Sequence, residues 1–328
     1  MFSISTRFQQ AWHHTFILTA TASAMILVWS FLRMPDVVLA IVVFAFLSAV
    51  RISDIASQEK RLQMLGSLIV GTAVLQYIIS ATAHLLFLNV LLPAAAGGVV
   101  LKIMVPASAH QVLLTSFLTY SASQGAYAAA ERFFDLLLAG FTAWIISSFA
   151  GAKNLPDVPE KTEKILPDGK ILVETFTIFC AALLYRLLSM PQGIWIVLTV
   201  IFIYMVQRPE DDTVFLAKQR IFSVPAGIML GGLYSAAVLM LDYRLAYLCL
   251  LFGAIGFFML YYRHDFFWFS LFFMFAFTVC ADWMSGALKD FHFMQFLFAR
   301  SLATAIGAAL LLVIEKIAEN HVKRSCVS

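Results

Sequence analysis

Long apolar stretches alternate with short polar breaks along almost the whole chain. A helix that crosses a bilayer needs roughly 20 predominantly apolar residues. Twelve stretches near this length are marked by the pattern, at residues 12–32, 35–50, 64–82, 85–105, 109–128, 132–150, 171–190, 192–207, 221–241, 245–262, 266–284 and 296–315. The pattern predicts an all-α integral membrane protein with about 12 transmembrane helices.

One hydrophilic stretch stands out in the middle of the chain. Residues 151–170 contain three prolines and eight charged residues between two long apolar regions. Proline and charge are typical of a solvated connection rather than of a membrane span. The sequence therefore predicts a first six-helix half (1–150), a linker (151–170) and a second six-helix half (171–328).

The amino-acid composition limits the classes of protein to which the chain can belong. Hydrophobic residues make up 62% of the chain and charged residues 12%, about half the charged fraction of a soluble domain. This excludes a soluble enzyme and a nucleic-acid-binding protein, and it leaves no room for a large catalytic domain. No P-loop, HExxH or GxSxG motif occurs. The four cysteines show no metal-ligand spacing and are expected to be isolated thiols, so we expect no metal and no cofactor.

The placement of the positive charges predicts the orientation. With a cytoplasmic N-terminus, 16 of the 22 lysines and arginines fall in cytoplasmic segments. The other six fall outside or within spans, namely Arg33, Arg132, Arg186, Arg244, Lys289 and Arg300. Because cytoplasmic loops carry the excess of Lys and Arg, both termini and the linker are expected in the cytoplasm.

The two halves share a layout. A charged loop ends at Arg61 in the first half and at Arg220 in the second, and each arginine is followed by two glycines in the next span. The last span of each half opens with an arginine, Arg132 or Arg300. Six spans per half give both halves the same orientation. We therefore expect two parallel repeats, with a pathway at their interface.

Several residues of the second half are arranged as in a known family. Trp195 and Thr199 lie in a short span, Arg208-Pro209 follows it, and Arg220 precedes Gly227 by seven residues. This arrangement resembles the fusaric acid resistance / aromatic acid exporter family. The chain departs from the family pattern where Ser223-Val224 stands for Gly-Thr, and in having a linker of only 20 residues where many members carry a long cytoplasmic domain.

The resemblance implies a function. It implies a bacterial inner-membrane secondary transporter that exports organic or aromatic acids and is coupled to protons. It also implies a periplasmic adaptor protein as a partner, and a homo-oligomer remains open. A distant likeness to plant anion channels keeps a channel built as a fused pseudo-dimer as an alternative, and a non-transporting membrane scaffold is a further one.

Arginine is the expected receptor for an anionic substrate. Its planar guanidinium binds a carboxylate through two charge-assisted hydrogen bonds. The expected substrate-binding residues are Arg132, Arg300, Arg220, Trp195 and Thr199, the last two from the resemblance. Arg132 is followed three residues later by Asp135, one helical turn away, whereas Ala303 stands at the matching place after Arg300. We therefore expect Arg300 to be the less neutralised of the two.

Proton coupling needs a group that titrates within the membrane. The candidates are His84, His110, Asp135, Glu174, Asp282 and His292. Of these, we expect Asp135, Asp282 and His84 to carry the coupling. An ionisable group inside a membrane costs roughly 2.5–3.5 kcal/mol on insertion scales, so such groups persist where they are paired or functional.

Overall fold

The computed structural model of the chain describes residues 4–32, 38–55, 57–82, 85, 88–122, 126–150, 167–207, 212–241, 245, 248–285 and 293–325. The described residues form twelve α-helices and contain no strand: α1 (Ile4–Leu32), α2 (Val38–Ser53), α3 (Gln58–Ala81), α4 (Leu88–Ile103), α5 (Pro106–Ala122), α6 (Ala126–Ala150), α7 (Asp168–Leu188), α8 (Trp195–Val206), α9 (Thr213–Leu241), α10 (Cys249–Arg263), α11 (Phe266–Ser285) and α12 (Phe293–Ser325). The all-helical prediction and the number of helices are confirmed for this part of the chain.

The helices differ in length more than the apolar pattern predicts. Among the described residues, six segments are long and apolar enough to cross a bilayer, and they lie in α1, α3, α6, α7, α9 and α12. The expectation of about twelve full-length spans is therefore too simple. The remaining apolar helices are shorter, and prolines and tight turns divide them, as where Pro106 opens α5 directly after α4.

The shortest helix, α8, lies in the centre of the second half. It has 12 residues, about 18 Å of helix, which is much less than a hydrocarbon core of about 30 Å. Ten consecutive side chains, Trp195 to Tyr204, are buried. A helix that is apolar on all sides belongs inside a protein core. Helices α5, α7 and α12 surround it, and aromatic rings of α11 contact it.

Helix packing within one half is matched in the other. In the first half α1 packs on α2 and α6, α2 packs on α6, and α3 packs on α5 and α6. In the second half α7 packs on α8 and α12, α8 packs on α12, and α9 packs on α11 and α12. Between the halves, α1 packs on α10 and α4 packs on α7. These two contacts exchange when the first half is renumbered as the second, whereas α5 also packs on α8 and the described residues of α2 and α11 do not pack in the same way.

A glycine brings α12 against α8. A Cβ atom added at Gly307 would lie 2.5 Å from the carbonyl oxygen of Ile196, closer than any side-chain carbon can approach. Gly227 lets α9 approach the backbone of α11 at Leu271 in the same way. These approaches place one face of α9 and one face of α12 against α8 and α11. Arg220 and Arg300 lie on these two helices.

Candidate anion site

Arg300 lies in a cage of aromatic rings inside the second half. Its side chain is completely buried. Its guanidinium carbon lies 3.5 Å from the ring centroid of Trp195, 4.3 Å from that of Phe277 and 5.2 Å from that of Phe296. All three guanidinium nitrogens are buried without a hydrogen-bond partner among the residues that the structure describes. The site therefore presents a set of unused N–H donors beside π faces.

Arg220 is a second buried arginine of the same kind. It is also completely buried, and its Nη1 donates a hydrogen bond of 2.8 Å to Oγ of Ser270 on α11. Its guanidinium carbon lies 4.6 Å from the ring centroid of Phe202. Nε and Nη2 have no partner in the described part of the chain. One neutral hydroxyl thus serves a group with five N–H donors.

A row of aromatic rings links the two arginines. Centroids lie 5.4 Å apart between Phe202 and Phe273, 6.2 Å between Phe273 and Phe277, and 5.3 Å between Phe277 and Trp195. Arg220 contacts the first ring of the row, and Arg300 contacts the last two. The row gives a continuous aromatic surface between two cationic ends.

The free-energy cost of burying these two arginines favours the binding of an anion beside them. Burying an unpaired charge costs several kcal/mol even after the protein relaxes. A cation–π contact returns roughly 0.5–2 kcal/mol. The two arginines are also close enough for the charge of Arg220 to act unfavourably on Arg300. A negatively charged ligand between or beside them would offset both costs.

The corresponding arginines of the first half are better satisfied. Nη1 of Arg132 donates to Oδ2 of Asp135 at 3.0 Å, which confirms the pairing expected from their spacing. Arg61 is buried, and its Nε donates to the carbonyl oxygen of Ile55. Arg132 retains an unpartnered Nε. Asp135 thus neutralises the charge of Arg132 locally, whereas the guanidinium of Arg300 has no hydrogen-bond partner in the described part of the chain.

An apolar pocket adjoins the aromatic row at the contact between the halves. It is formed by α1 and α2 of the first half and by α10 and α11 of the second. Among its lining side chains are Ala22, Val43, Phe46, Ala254, Phe273 and Phe277. Phe277 thus faces the pocket and also contacts the guanidinium of Arg300. Arg300 itself is not part of the pocket wall, which is apolar almost throughout, as the walls of small-molecule sites predominantly are.

The other sequence-predicted site residues lie around this arrangement or outside it. Trp195 is buried against Arg300, whereas Thr199 lies one turn further along α8 with a buried hydroxyl that has no partner among the described residues. Asp135 lies beside Arg132 and not beside Arg300. His84 and the side chain of Asp282 lie outside the described residues.

A buried polar network contains His110 and Glu174, two candidates that the sequence alone did not favour for proton coupling. His110 on α5 and Glu174 on α7 approach to 2.8 Å between Nε2 and Oε2, and their side chains are 4% and 1% exposed. Tyr204 on α8 stacks on the imidazole, and its hydroxyl lies 3.1 Å from Thr177 Oγ1 and 3.1 Å from Glu315 Oε1. The sequence indicates these two residues only by their positions: each is a titratable residue within an apolar segment, His110 in the first half and Glu174 in the second.

The cysteines depart from expectation at one place. The Sγ atoms of Cys249 on α10 and Cys280 on α11 lie 3.5 Å apart, so these two thiols are not isolated. They are reduced, and Cys280 also lines the apolar pocket. In the described part of the chain, no three His, Cys, Asp or Glu side chains gather in a way that would hold a metal ion.

Comparison with known proteins gives one family match, which covers most of the second half. The chain matches no curated protein and no solved structure. A family model described as "Fusaric acid resistance protein-like" matches residues 180–314. The matched segment runs from within α7 to within α12 and contains Trp195, Thr199, Arg220 and Arg300. Through this segment the second half of the chain is similar to fusaric acid resistance proteins, and the resemblance expected from the sequence is confirmed for residues 180–314.

Proposed function

We propose that the protein is a secondary transporter that exports organic acids, with aromatic carboxylates as its preferred substrates. The observation that carries this proposal is the pair of buried arginines with unused N–H donors, set at the two ends of an aromatic row. The family points to a membrane transporter of the efflux type. The donors account for the carboxylate, and the rings account for the aromatic part of the substrate.

The substrate's carboxylate binds Arg300. A guanidinium that has lost its water gains two parallel charge-assisted hydrogen bonds from one carboxylate. The ring of the substrate packs beside Trp195 and Phe277 and extends toward the apolar pocket. Aromatic pairs gain about 0.5–1.5 kcal/mol beyond the area they bury, which favours aromatic over aliphatic acids of equal size.

Arg220 receives the substrate from the opposite side of the membrane. Each arginine lies seven residues after the first residue of its helix, Thr213 for Arg220 and Phe293 for Arg300. Consecutive spans alternate in direction, so α9 and α12 enter the membrane from opposite sides. In the proposed orientation Arg220 lies toward the cytoplasm and Arg300 toward the outside. Export moves the carboxylate from the first arginine to the second along the aromatic row.

The proposed architecture is a pair of parallel repeats, residues 1–150 and 171–328, joined by a cytoplasmic linker at 151–170. Two observations support it. The long apolar helices are the first, third and sixth of each set of six. Several helix contacts within one half recur in the other, and two of the contacts between the halves, α1 with α10 and α4 with α7, exchange with each other. In such a fold the substrate moves at the interface of the repeats.

The proposed location is the bacterial inner membrane, with both termini in the cytoplasm. The charge bias and the family support this orientation. A periplasmic adaptor protein is the proposed partner and comes from the family resemblance, and self-association into a homo-oligomer is proposed beside it. The exported acid would pass from the outer end of the pathway to the adaptor.

Transport in proteoliposomes tests the proposal. Purified protein is reconstituted, and the flux of radiolabelled benzoate and of fusaric acid is measured with and without an imposed pH gradient. We expect the gradient to drive both acids, and we expect Arg300→Ala to abolish the flux. The matched control is Arg263→Ala, which removes an exposed arginine at the end of α10. Flux of the Arg300→Ala protein equal to that of the Arg263→Ala protein would contradict the assignment.

An anion channel is the second candidate function. The same arginines and rings would line a conduction path, in which the unused N–H donors would attract anions. The two functions differ in their driving force. Channel flux follows voltage and anion gradient alone, whereas a coupled exporter accumulates benzoate against its gradient when protons flow the other way. Accumulation that an uncoupler abolishes would decide for the exporter.

A further inference from the structure

The His110–Glu174 pair joins the two halves of the chain inside the protein. His110 belongs to α5 of the first half and Glu174 to α7 of the second, and both side chains are almost fully buried. The Nε2–Oε2 distance of 2.8 Å is a short, charge-assisted contact when the carboxylate is ionised. A buried ionisable pair that bridges two bodies which must move relative to each other is suited to control that movement.

The charged and titratable surroundings of the pair are few. On α7, the ammonium of Lys170 lies 3.9 Å from Oε1 of Glu174. On α8, Tyr204 stacks on His110. On α12, Glu315 accepts a hydrogen bond from the Tyr204 hydroxyl, and Glu319 lies close enough to act on Glu315. On α4, Lys102 pairs with Asp168 of α7, and both of these side chains are exposed.

These groups make Glu174 the group whose protonation changes most contacts. While Glu174 is ionised, the imidazole Nε2–H donates to one of its oxygens and Lys170 lies beside the other. A proton that binds either oxygen forms an O–H bond and removes the negative charge. The hydrogen bond to His110 then loses its charge assistance, and Lys170 loses its counter-ion. The first change weakens the link between α5 and α7, whereas the second alters a contact within α7, which holds both Lys170 and Glu174.

We propose that the His110–Glu174 pair is the proton-binding site of the transporter, and that it locks the two halves together while Glu174 is ionised and releases them when Glu174 binds a proton. This inference rests on the proposed transport function and assigns its coupling to residues that lie apart from the arginines. The proton enters from one water phase, resides on the carboxylate and leaves to the other phase. The organic anion crosses in the opposite direction.

Two fluxes of benzoate test the coupling. Exchange of labelled for unlabelled benzoate at equal pH needs no net proton movement, whereas uptake driven by a pH gradient does. For Glu174→Gln and for His110→Gln we expect exchange to persist and gradient-driven accumulation to be lost. The matched control is Asp168→Asn, which removes an exposed carboxylate of the same helix that also pairs across the halves. We expect it to keep both fluxes.

A distance measurement tests the lock without relying on transport. Spin labels are placed at Gln63 on α3 and at Glu319 on α12, two exposed positions in different halves, in a protein whose four cysteines are replaced by alanine. Pulsed electron paramagnetic resonance should show one distance distribution at alkaline pH and a shifted one at mildly acidic pH. In the Glu174→Gln background the shifted distribution should be present at both.

The outcomes separate the two proposals. Absence of benzoate exchange in the unmodified protein would reject the transport function and leave the pH-dependent distance as the measure of the lock. Gradient-driven accumulation that survives Glu174→Gln would overturn the proton site while leaving the transport function intact. A distance distribution that ignores both pH and the Glu174→Gln change would overturn the lock.

Discussion

The guanidinium carbon of Arg300 lies 3.5 Å from the centroid of the Trp195 ring, although 104 residues separate the two in the chain. At this distance the cation lies directly against the π face, which is the geometry of a strong cation–π contact, and the side chain of Arg300 is fully buried. The ring satisfies the charge in part and leaves the N–H donors in the guanidinium plane unused. A planar anion can therefore bind the edge of the guanidinium while the indole keeps its face.

The first prediction concerns this edge. Arg300→Lys should weaken benzoate binding by about 1–3 kcal/mol, because an ammonium cannot form the two parallel hydrogen bonds. Arg300→Ala should nearly abolish transport while leaving membrane insertion intact. Binding is measured by titration calorimetry in detergent, with Arg263→Lys as the control. Unchanged benzoate affinity of the Arg300→Lys protein would mean that the site binds the carboxylate by charge alone, without two parallel hydrogen bonds.

The second prediction restores the missing acid of the second half. Ala303→Asp places a carboxylate three residues after Arg300, as Asp135 is placed after Arg132. The new carboxylate should pair with Arg300 and compete with the substrate, so transport should fall steeply. Ala303→Asn is the matched control, because it has the same size without the charge. Equal inhibition by both substitutions would point to crowding at a fully buried position and not to charge.

The third prediction concerns Asp135, the carboxylate partner of Arg132 in the first half. Asp135→Asn should lower the melting temperature and reduce transport more than Asp282→Asn does. The reason is that Arg132, whose side chain is 9% exposed, then lacks a carboxylate partner. Loss of a charge-assisted hydrogen bond costs about 1–3 kcal/mol. Thermal unfolding and benzoate flux of the two proteins at equal expression provide the comparison, and normal stability of Asp135→Asn would rule out this role.

The fourth prediction concerns orientation. Single cysteines at Lys161 and Lys323, in a protein without its native cysteines, should react with a membrane-impermeant thiol reagent only after the cytoplasmic side is opened. The positive charges of the linker and of the C-terminal segment favour that side. Labelling of either position in intact cells would reverse the proposed orientation.

The fifth prediction concerns the approach of α12 to α8. Gly307→Ala should destabilise the protein by about 1–3 kcal/mol, the range for an overpacked core, because the new Cβ meets the backbone of Ile196. It should also move Arg300 away from Trp195 and reduce benzoate affinity. Gly66→Ala is the control, since a Cβ at that helical position meets nothing within 4 Å. Thermal unfolding of both proteins distinguishes packing from a general effect of replacing glycine.

Local relationships could be predicted from the sequence, and distant ones could not. The Arg132–Asp135 pair follows from two residues one turn apart on one helix. The arginines and Trp195 were each identified, but their meeting depends on how α8, α11 and α12 rotate and pack. The apolar periodicity of a membrane helix does not specify that rotation, because lipid-facing and core-facing residues are both apolar.

The same limit explains the missed His110–Glu174 contact and the misjudged helix lengths. Burial of these two residues, 64 positions apart, depends on α5 and α7 meeting across the halves. The apolar pattern also extends over the tight turns on either side of α8, so it predicts a longer span than the 12 residues that form the helix. Hydrophobicity indicates residence in the membrane but not the point at which a helix ends.

Helix α8 carries Trp195 at its first position and Tyr204 nine residues later, about 14 Å along the axis. One end contacts the arginine cage, and the other contacts the histidine, threonine and glutamate of the polar network. Close-packed side chains surround the helix and resist independent motion of either end. Helix α8 is therefore shared by the arginine cage and the polar network, and any displacement of it as a unit would move both together.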